Sequence, residues 1–139
     1  MDLETLRGFY QLSPFMQDLG VEPTAVSPGR VTAVLTLADR HRQHSGHAHA
    51  GVQTSLADHT MGSAAQTLVP EGFWVLTADL KLSLLRPADG ERLVCEAWVL
   101  KPGRTLSFTE AEVWAERGAE RSLVMKASAT MAVVPRQRA

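Results

Sequence analysis

From residue 50 to residue 69 the chain carries one acidic side chain, Asp58, and no lysine or arginine. Val52, Leu56, Thr60, Ala64 and Leu68 recur there at every fourth position, the spacing of one face of a helix. A helix so poor in charge cannot face water over most of its surface, so the rest of the chain must cover it. The runs that follow alternate apolar and polar residues instead, the pattern of strands. The sequence is thereby constrained to a long buried helix and a sheet built around it.

Taken in order, residues 2–12 form a short amphipathic helix, with Leu3, Leu6 and Phe9 or Tyr10 at helical spacing and Asp2 as its cap. Ser13-Pro14 ends it. Residues 15–21 are an apolar segment leading into a strand, and Pro28-Gly29 is a turn. Residues 30–38 alternate as a half-buried strand, with Val31, Ala33, Leu35 and Leu37 on one side. A polar loop over 39–48 precedes the central helix, roughly 50–68. Gly62 costs that helix about 1 kcal/mol against alanine and is expected to leave room for close approach by another segment. Four strands in meander follow, over 73–85, 93–100, 104–115 and 122–134. On the first, Trp74, Leu76, Ala78, Leu80, Leu82 and Leu84 share one face, and Thr77, Asp79, Lys81 and Ser83 the other. The tail, 135–139, is expected to fray. The result is a single α+β domain over 1–139: an N-terminal helix within 1–14, then one long helix against a five-stranded antiparallel sheet.

At 139 residues and 45% hydrophobic, the chain can bury one core. A net charge of -1 argues against a broad basic surface for nucleic acid. No apolar run reaches membrane-spanning length. Asp2 and Glu4 at the start do not resemble a secretory signal. Cys95 is the only cysteine and cannot form an intrachain disulfide, which fits a reducing compartment. The expectation is a cytoplasmic protein with neither nucleic-acid nor membrane partners.

Two features carry chemistry. Asp58 is a carboxylate on an otherwise almost uncharged helix, and a buried carboxylate suits a general base or a nucleophile. The segment His47-Ala48-His49-Ala50-Gly51 leads into the helix, whose first N–H groups lack intrahelical partners and suit a developing oxyanion. Ala50 and Asp58 are eight residues apart, about 12 Å along a helix, too far for one carbonyl to meet both. If both serve one reaction centre, the second half must come from another copy, which predicts a twofold dimer with composite sites. His41, His44, His47 and His49 fall close enough together to invite a zinc reading. They lie in a loop with no cysteine nearby, so no metal is assigned. Three of them are read as loop surface, His49 being the exception.

These residues resemble a known family. Gln43-x-x-Gly46-x-x-His49-Ala50-Gly51, then Leu56-Ala57-Asp58 and Gly62, is similar to the acyl-CoA thioesterases of the hotdog fold, closest to the PaaI type and its relatives acting on hydroxybenzoyl-CoA. The family pattern is Asn or Gln, then Gly, then His-Gly-Gly, then Asp or Glu nine residues after the His. Here Ala50 replaces the first glycine of the His-Gly-Gly, and keeps its N–H. The likeness runs over roughly 15–134, including Arg86-Pro87 and the hairpin Lys101-Pro-Gly-Arg-Thr. It implies a hotdog fold and hydrolysis of an acyl-CoA, with coenzyme A entering as part of the substrate and no separate cofactor. Asp58 would be nucleophile or general base. The N–H of Ala50, with Gly51 beside it, would polarise the thioester carbonyl. Gln43 would orient the carbonyl or the water, and His49 would support the turn. Arg86, Arg104 and Thr105 would hold coenzyme A phosphates. Asp58 would act across a dimer, in a dimer or a homotetramer. Phe73, Trp74, Met61 and Trp98 are the side chains that could line an aromatic acyl pocket. A non-catalytic acyl-CoA-binding protein and an acyl-CoA hydratase or dehydratase are the alternative readings.

Overall fold

The computed structural model describes residues 1–137. Helix α1, Leu3–Gln11, is capped by Asp2, whose carboxylate accepts the Thr5 N–H at 2.8 Å. Ser13-Pro14 ends that helix and also starts another. The Ser13 hydroxyl caps α2, Pro14–Leu19, and proline sits in its first turn, where a missing N–H costs nothing. Gly20, at φ 82°, closes α2 and turns the chain into β1, Val21–Ser27. The apolar segment over 15–21 is therefore a helix followed by the start of a strand.

The remaining elements are β2 (Arg30–Thr36), α3 (Ala50–Gln66), β3 (Phe73–Leu84), β4 (Arg92–Lys101), β5 (Leu106–Arg117) and β6 (Glu120–Pro135). The antiparallel sheet has six strands rather than five, in the order β1-β2-β4-β5-β6-β3. The additional one, β1, is a short edge strand whose register slips between Pro23 and Ala25. A proline is tolerated at such an edge, and it blurs the alternation by which a strand is read. Nor do the last four strands form one meander. β4, β5 and β6 do, but β3 pairs with β6 at the far edge. Helix α3 carries the chain from β2 across to that edge, and the hairpins β4-β5-β6 then fill the gap.

Helix α3 lies against one face of the sheet and touches every strand. Its Leu56, Thr60, Met61, Ala64 and Ala65 are fully buried, against Leu35, Leu93, Val113 and Met131. Leu56 alone contributes about 2–3 kcal/mol by leaving water. β1 and β3 are opposite edges of the sheet, yet α1 packs on β1 while Phe9 of α1 meets Trp74 of β3 edge-on, with ring centroids 6.5 Å apart. The sheet must curl for one short helix to reach both rims. α1 thus fills the gap between the edges, and Tyr10, 2% exposed, anchors it to Ser63 of α3.

Two further features differ from the sequence expectation. β3 does not alternate continuously, because its register slips between Thr77 and Asp79. Before that bulge, Val75 and Thr77 face α3; after it, Leu80 and Leu82 pack inward, leaving Trp74 and Leu76 exposed. The tail, too, is held up to Arg136. Its N–H donates to the Gly72 carbonyl at 2.9 Å, and its guanidinium lies 4.0 Å from the centre of the Trp74 ring. The rest of the frayed-tail expectation reaches residues 138 and 139, which lie outside the described residues.

Candidate active site

Asp58 is half-buried on α3 and opens onto a cleft of about 400 Å³ between α1, α3 and β3. The Thr77 hydroxyl donates to its Oδ1 at 2.6 Å. The β3 bulge makes this contact possible, since it sets Thr77 inward with Val75 while Leu80 and Leu82 still reach the core. Gly62, one turn on, borders the same cleft. A Cβ added there would meet only Val75 Cγ2 at 3.9 Å and Met131 Cε at 4.0 Å. Those are ordinary contacts, so within one chain this glycine is not required by close packing.

The start of α3 is built by the loop before it. The Gln43 N–H donates to the His47 carbonyl at 2.8 Å, with Gly46 at φ 89° in the bend. Arg42 pins that bend through its bond to the Gly46 carbonyl at 2.9 Å and an ion pair with Asp89 at 3.5 Å. His49 is the N-cap of α3: its Nδ1 accepts the Gly51 N–H at 2.8 Å, which puts the proton of the neutral ring on Nε2. The Gly51 N–H is thereby occupied. The N–H of Ala50, the first residue of the helix, has no partner among the described residues. Ala50 is exposed and borders a second cavity of about 320 Å³ together with Gln43, Gln53 and Arg86.

The Asp58 cleft and the Ala50 cavity share no lining residue. A single chain holds the carboxylate and the open N–H about 12 Å apart on one rigid helix. Arg86 stands at the Ala50 end, where it donates to the Leu123 carbonyl at 2.7 Å. Arg104 and Thr105 are exposed in the β4-β5 turn at the other end of the sheet, beside Val133. The three are not brought together within one chain.

The loop histidines have separate positions. His41 is not loop surface: it is 1% exposed, with Nδ1 accepting the Ala38 N–H at 2.9 Å and Nε2 donating to the Leu19 carbonyl at 2.8 Å. It ties the loop to the end of α2. His44 is exposed, and His47 lies 3.0 Å from the Ser45 hydroxyl. Of the side chains suggested for an acyl pocket, only Trp74 lines the Asp58 cleft; Met61 is in the core, and Trp98 lies under the Arg30 guanidinium, 5.5 Å away.

Sequence reasoning missed Thr77, His59, Phe9 and Tyr10, all of which border the cleft. The bulge that turns Thr77 inward has no sequence signal. His59 was legible, as the residue next to Asp58 on the same helix. Its ring packs edge-on against Tyr10, with centroids 4.5 Å apart. Burial holds the imidazole below its ordinary pKa, partly offset by the neighbouring Asp58.

Residues 45–122 match the family model of the thioesterase superfamily. Among solved structures, a thioesterase family protein from Silicibacter pomeroyi superposes with a TM-score of 0.92 at 33% identity, over 96% of this chain and 98% of that one. A thioesterase from Haemophilus influenzae has the same fold, with a TM-score of 0.87 at 24% identity over 97% and 92% of the two chains. Acyl-coenzyme A thioesterase 13 from Homo sapiens is 27% identical over 112 residues, 79% of each sequence.

Proposed function

The chain belongs to the thioesterase superfamily, and from that premise we propose that it hydrolyses acyl-CoA thioesters with a small aromatic or short to medium-length acyl group, as a PaaI-type enzyme. The observation that carries this reading is Asp58: the one carboxylate of α3, held by the Thr77 hydroxyl and open to a cleft.

In this reading the Ala50 N–H, at the positive end of the helix dipole, takes the charge that develops on the thioester oxygen. The N–H of Gly51 stays with His49, which fixes the geometry of that first turn. Asp58 takes a proton from water as the water adds to the carbonyl, or adds first to form an anhydride that water opens. Both routes release the coenzyme A thiol and a carboxylic acid. Gln43, beside Ala50, orients the carbonyl or the water. Arg86, Arg104 and Thr105 meet the phosphates of coenzyme A, which comes with the substrate; no other cofactor is required.

The separation of Ala50 from Asp58 supports a site shared between two copies. β3 offers the means. It is a 12-residue strand paired on one side only, with Leu76 59% and Leu84 49% exposed. A long apolar edge of this kind invites pairing with a second copy. Two copies joined antiparallel along β3 would also set their α3 helices antiparallel, each Asp58 toward the other's Ala50. A dimer is the minimum assembly, and a homotetramer is two such dimers. No helix among the described residues is long and apolar enough to cross a membrane, and we place the enzyme in the cytoplasm.

The test is release of free thiol from phenylacetyl-, hydroxybenzoyl-, short aliphatic and long aliphatic CoA thioesters, with wild type beside Asp58→Asn. The reading expects turnover by wild type and a loss of about 10²–10⁴-fold in the variant. Equal rates for the two proteins, or saturable coenzyme A binding without turnover of any thioester, would overturn it.

A further inference from the structure

We propose that Arg42 is a positioning residue for the hydrolysis: its guanidinium holds the bend from which Gln43 reaches the Ala50 cavity, and Asp89, in the turn between β3 and β4, holds the guanidinium. The inference rests on the thioesterase reading and gives Arg42 no contact with the substrate.

The segment from Gln43 to His49 has little apolar surface to hold it, since only Ala48 in it is buried. Its C-terminal end is fixed by backbone bonds. The Ala48 N–H donates to the Ala88 carbonyl at 2.9 Å, and the His49 N–H to the His41 carbonyl at 2.8 Å. The Gln53 amide donates to the Ala48 carbonyl at 3.3 Å. The outer part, residues 43–47, is a bend that closes on itself. There the Gly46 N–H donates to the Gln43 carbonyl at 2.9 Å, and the Ser45 N–H to Gln43 Oε1 at 3.3 Å. The shape of the bend therefore decides where the Gln43 amide points. Among the described residues, Arg42 is the one side chain from outside the bend that bonds to it, through Nη1 and the Gly46 carbonyl at 2.9 Å.

The guanidinium is placed from its far side. Asp89 Oδ1 lies 3.5 Å from Arg42 Nη1, and it also accepts the Gly90 N–H at 2.9 Å and Arg117 Nη2 at 3.3 Å. The carboxylate is thus fixed by its own turn and by the end of β5. Arg42 Nη2 reaches the Gly90 carbonyl at 3.5 Å. A planar guanidinium can hold a carbonyl and a carboxylate at once, a geometry that an ammonium does not reproduce. This clamp spans the Ala50 cavity. Gln43, His47 and Ala48 form one wall, and Arg86, Pro87 and Ala88, from the turn that carries Asp89, form the other. Arg42 does not line the cavity, so it can keep the two walls in register without meeting the ligand. A small displacement of an orienting group is costly in rate. The Arg42 side chain is 26% exposed and that of Asp89 57%, so the effect is graded rather than all-or-none.

The test measures kcat and KM on the preferred thioester for wild type, Arg42→Met, Arg42→Lys, Gln43→Ala and the double variant of Arg42→Met with Gln43→Ala. Amide hydrogen exchange over residues 43–49 is followed alongside. Methionine keeps an unbranched stem and removes every donor. In Arg42→Met kcat is expected to fall about tenfold with KM within about twofold of wild type, since the residue holds the bend and not coenzyme A. Arg42→Lys, which keeps a donor for the Gly46 carbonyl, recovers part of that loss. Because Arg42 acts through Gln43, the double variant is no slower than Gln43→Ala alone. Exchange over 43–49 quickens about tenfold in Arg42→Met and stays unchanged in β5. Fully additive losses, a raised KM with kcat intact, or exchange over 43–49 equal to wild type overturns the proposal. Failure of wild type to turn over any thioester counts against the hydrolase reading instead, and the exchange rates still decide whether Arg42 holds the bend.

Discussion

Replacing Ala50 by proline removes the donor hydrogen from the proposed site and puts a ring methylene in its place, while leaving the helix itself intact. Ala50 is the first residue of α3, and its N–H makes no intrahelical bond. Proline is well suited to that position, since its fixed φ is already helical and the lost donor was not holding the helix. The residue before a proline must be extended, and His49 already is, at φ -62° and ψ 139°. The bond from the Gly51 N–H to His49 is untouched. The stability change should stay within about 0.5 kcal/mol, a shift of a degree or two in Tm. Loss of an oxyanion donor costs about 10²–10³-fold in kcat, or about 2.7–4 kcal/mol of transition-state binding. Ala50→Gly, which keeps the N–H, serves as the control and should turn over at least as fast as wild type. The assay is thiol release under saturating acyl-CoA, with thermal unfolding followed by circular dichroism. A folded Ala50→Pro variant with kcat within about threefold of wild type would refute the assignment of that N–H.

Three more perturbations follow from the same geometry. Thr77→Val removes the donor to Asp58; for a pair this open to solvent about 1–1.5 kcal/mol is at stake, so kcat should fall roughly tenfold with KM little changed, and an unaltered kcat would take Thr77 out of the site. Gly62→Ala should raise stability by about 0.5–1 kcal/mol through helix propensity, because the new methyl meets only ordinary contacts. A fall in Tm would mean that something outside the chain packs against that position. Burial pushes the Cys95 thiol up to about 12, so at pH 8 the native protein should stay silent to a thiol reagent and give one equivalent only after denaturation. Fast reaction of the native protein would contradict its burial.

The buried helix was legible because charge is absent from it, and Asp58 because it breaks that absence. The N-cap at Asp2 and the alternation in β2 were legible for similar local reasons. What could not be read was set by pairing across the chain. The place of β3 beside β6 depends on where α3 delivers it, not on its own residues. The bulge at Thr77 and Asp79 reverses which side chains face α3, and local alternation carries no trace of it. His41 sits in a polar loop by sequence, yet two backbone groups 22 and 3 residues away satisfy its ring and bury it. Ser13-Pro14 was read as a stop; the same pair is also a helix start, a choice decided by whether the following apolar residues find a surface.

The central claim is that each reaction centre takes Asp58 from one copy and the Ala50 N–H from another. Mixing Asp58→Asn with Ala50→Pro tests it most directly. Each variant alone should be nearly inactive. After exchange of subunits, half of the dimers are mixed, and each mixed dimer then holds one site with both lesions and one with neither. The account predicts recovery to about one quarter of wild-type activity at equal mixing. If carboxylate and N–H instead acted within one chain, every site in the mixture would carry a lesion, and no recovery after verified exchange would contradict the account.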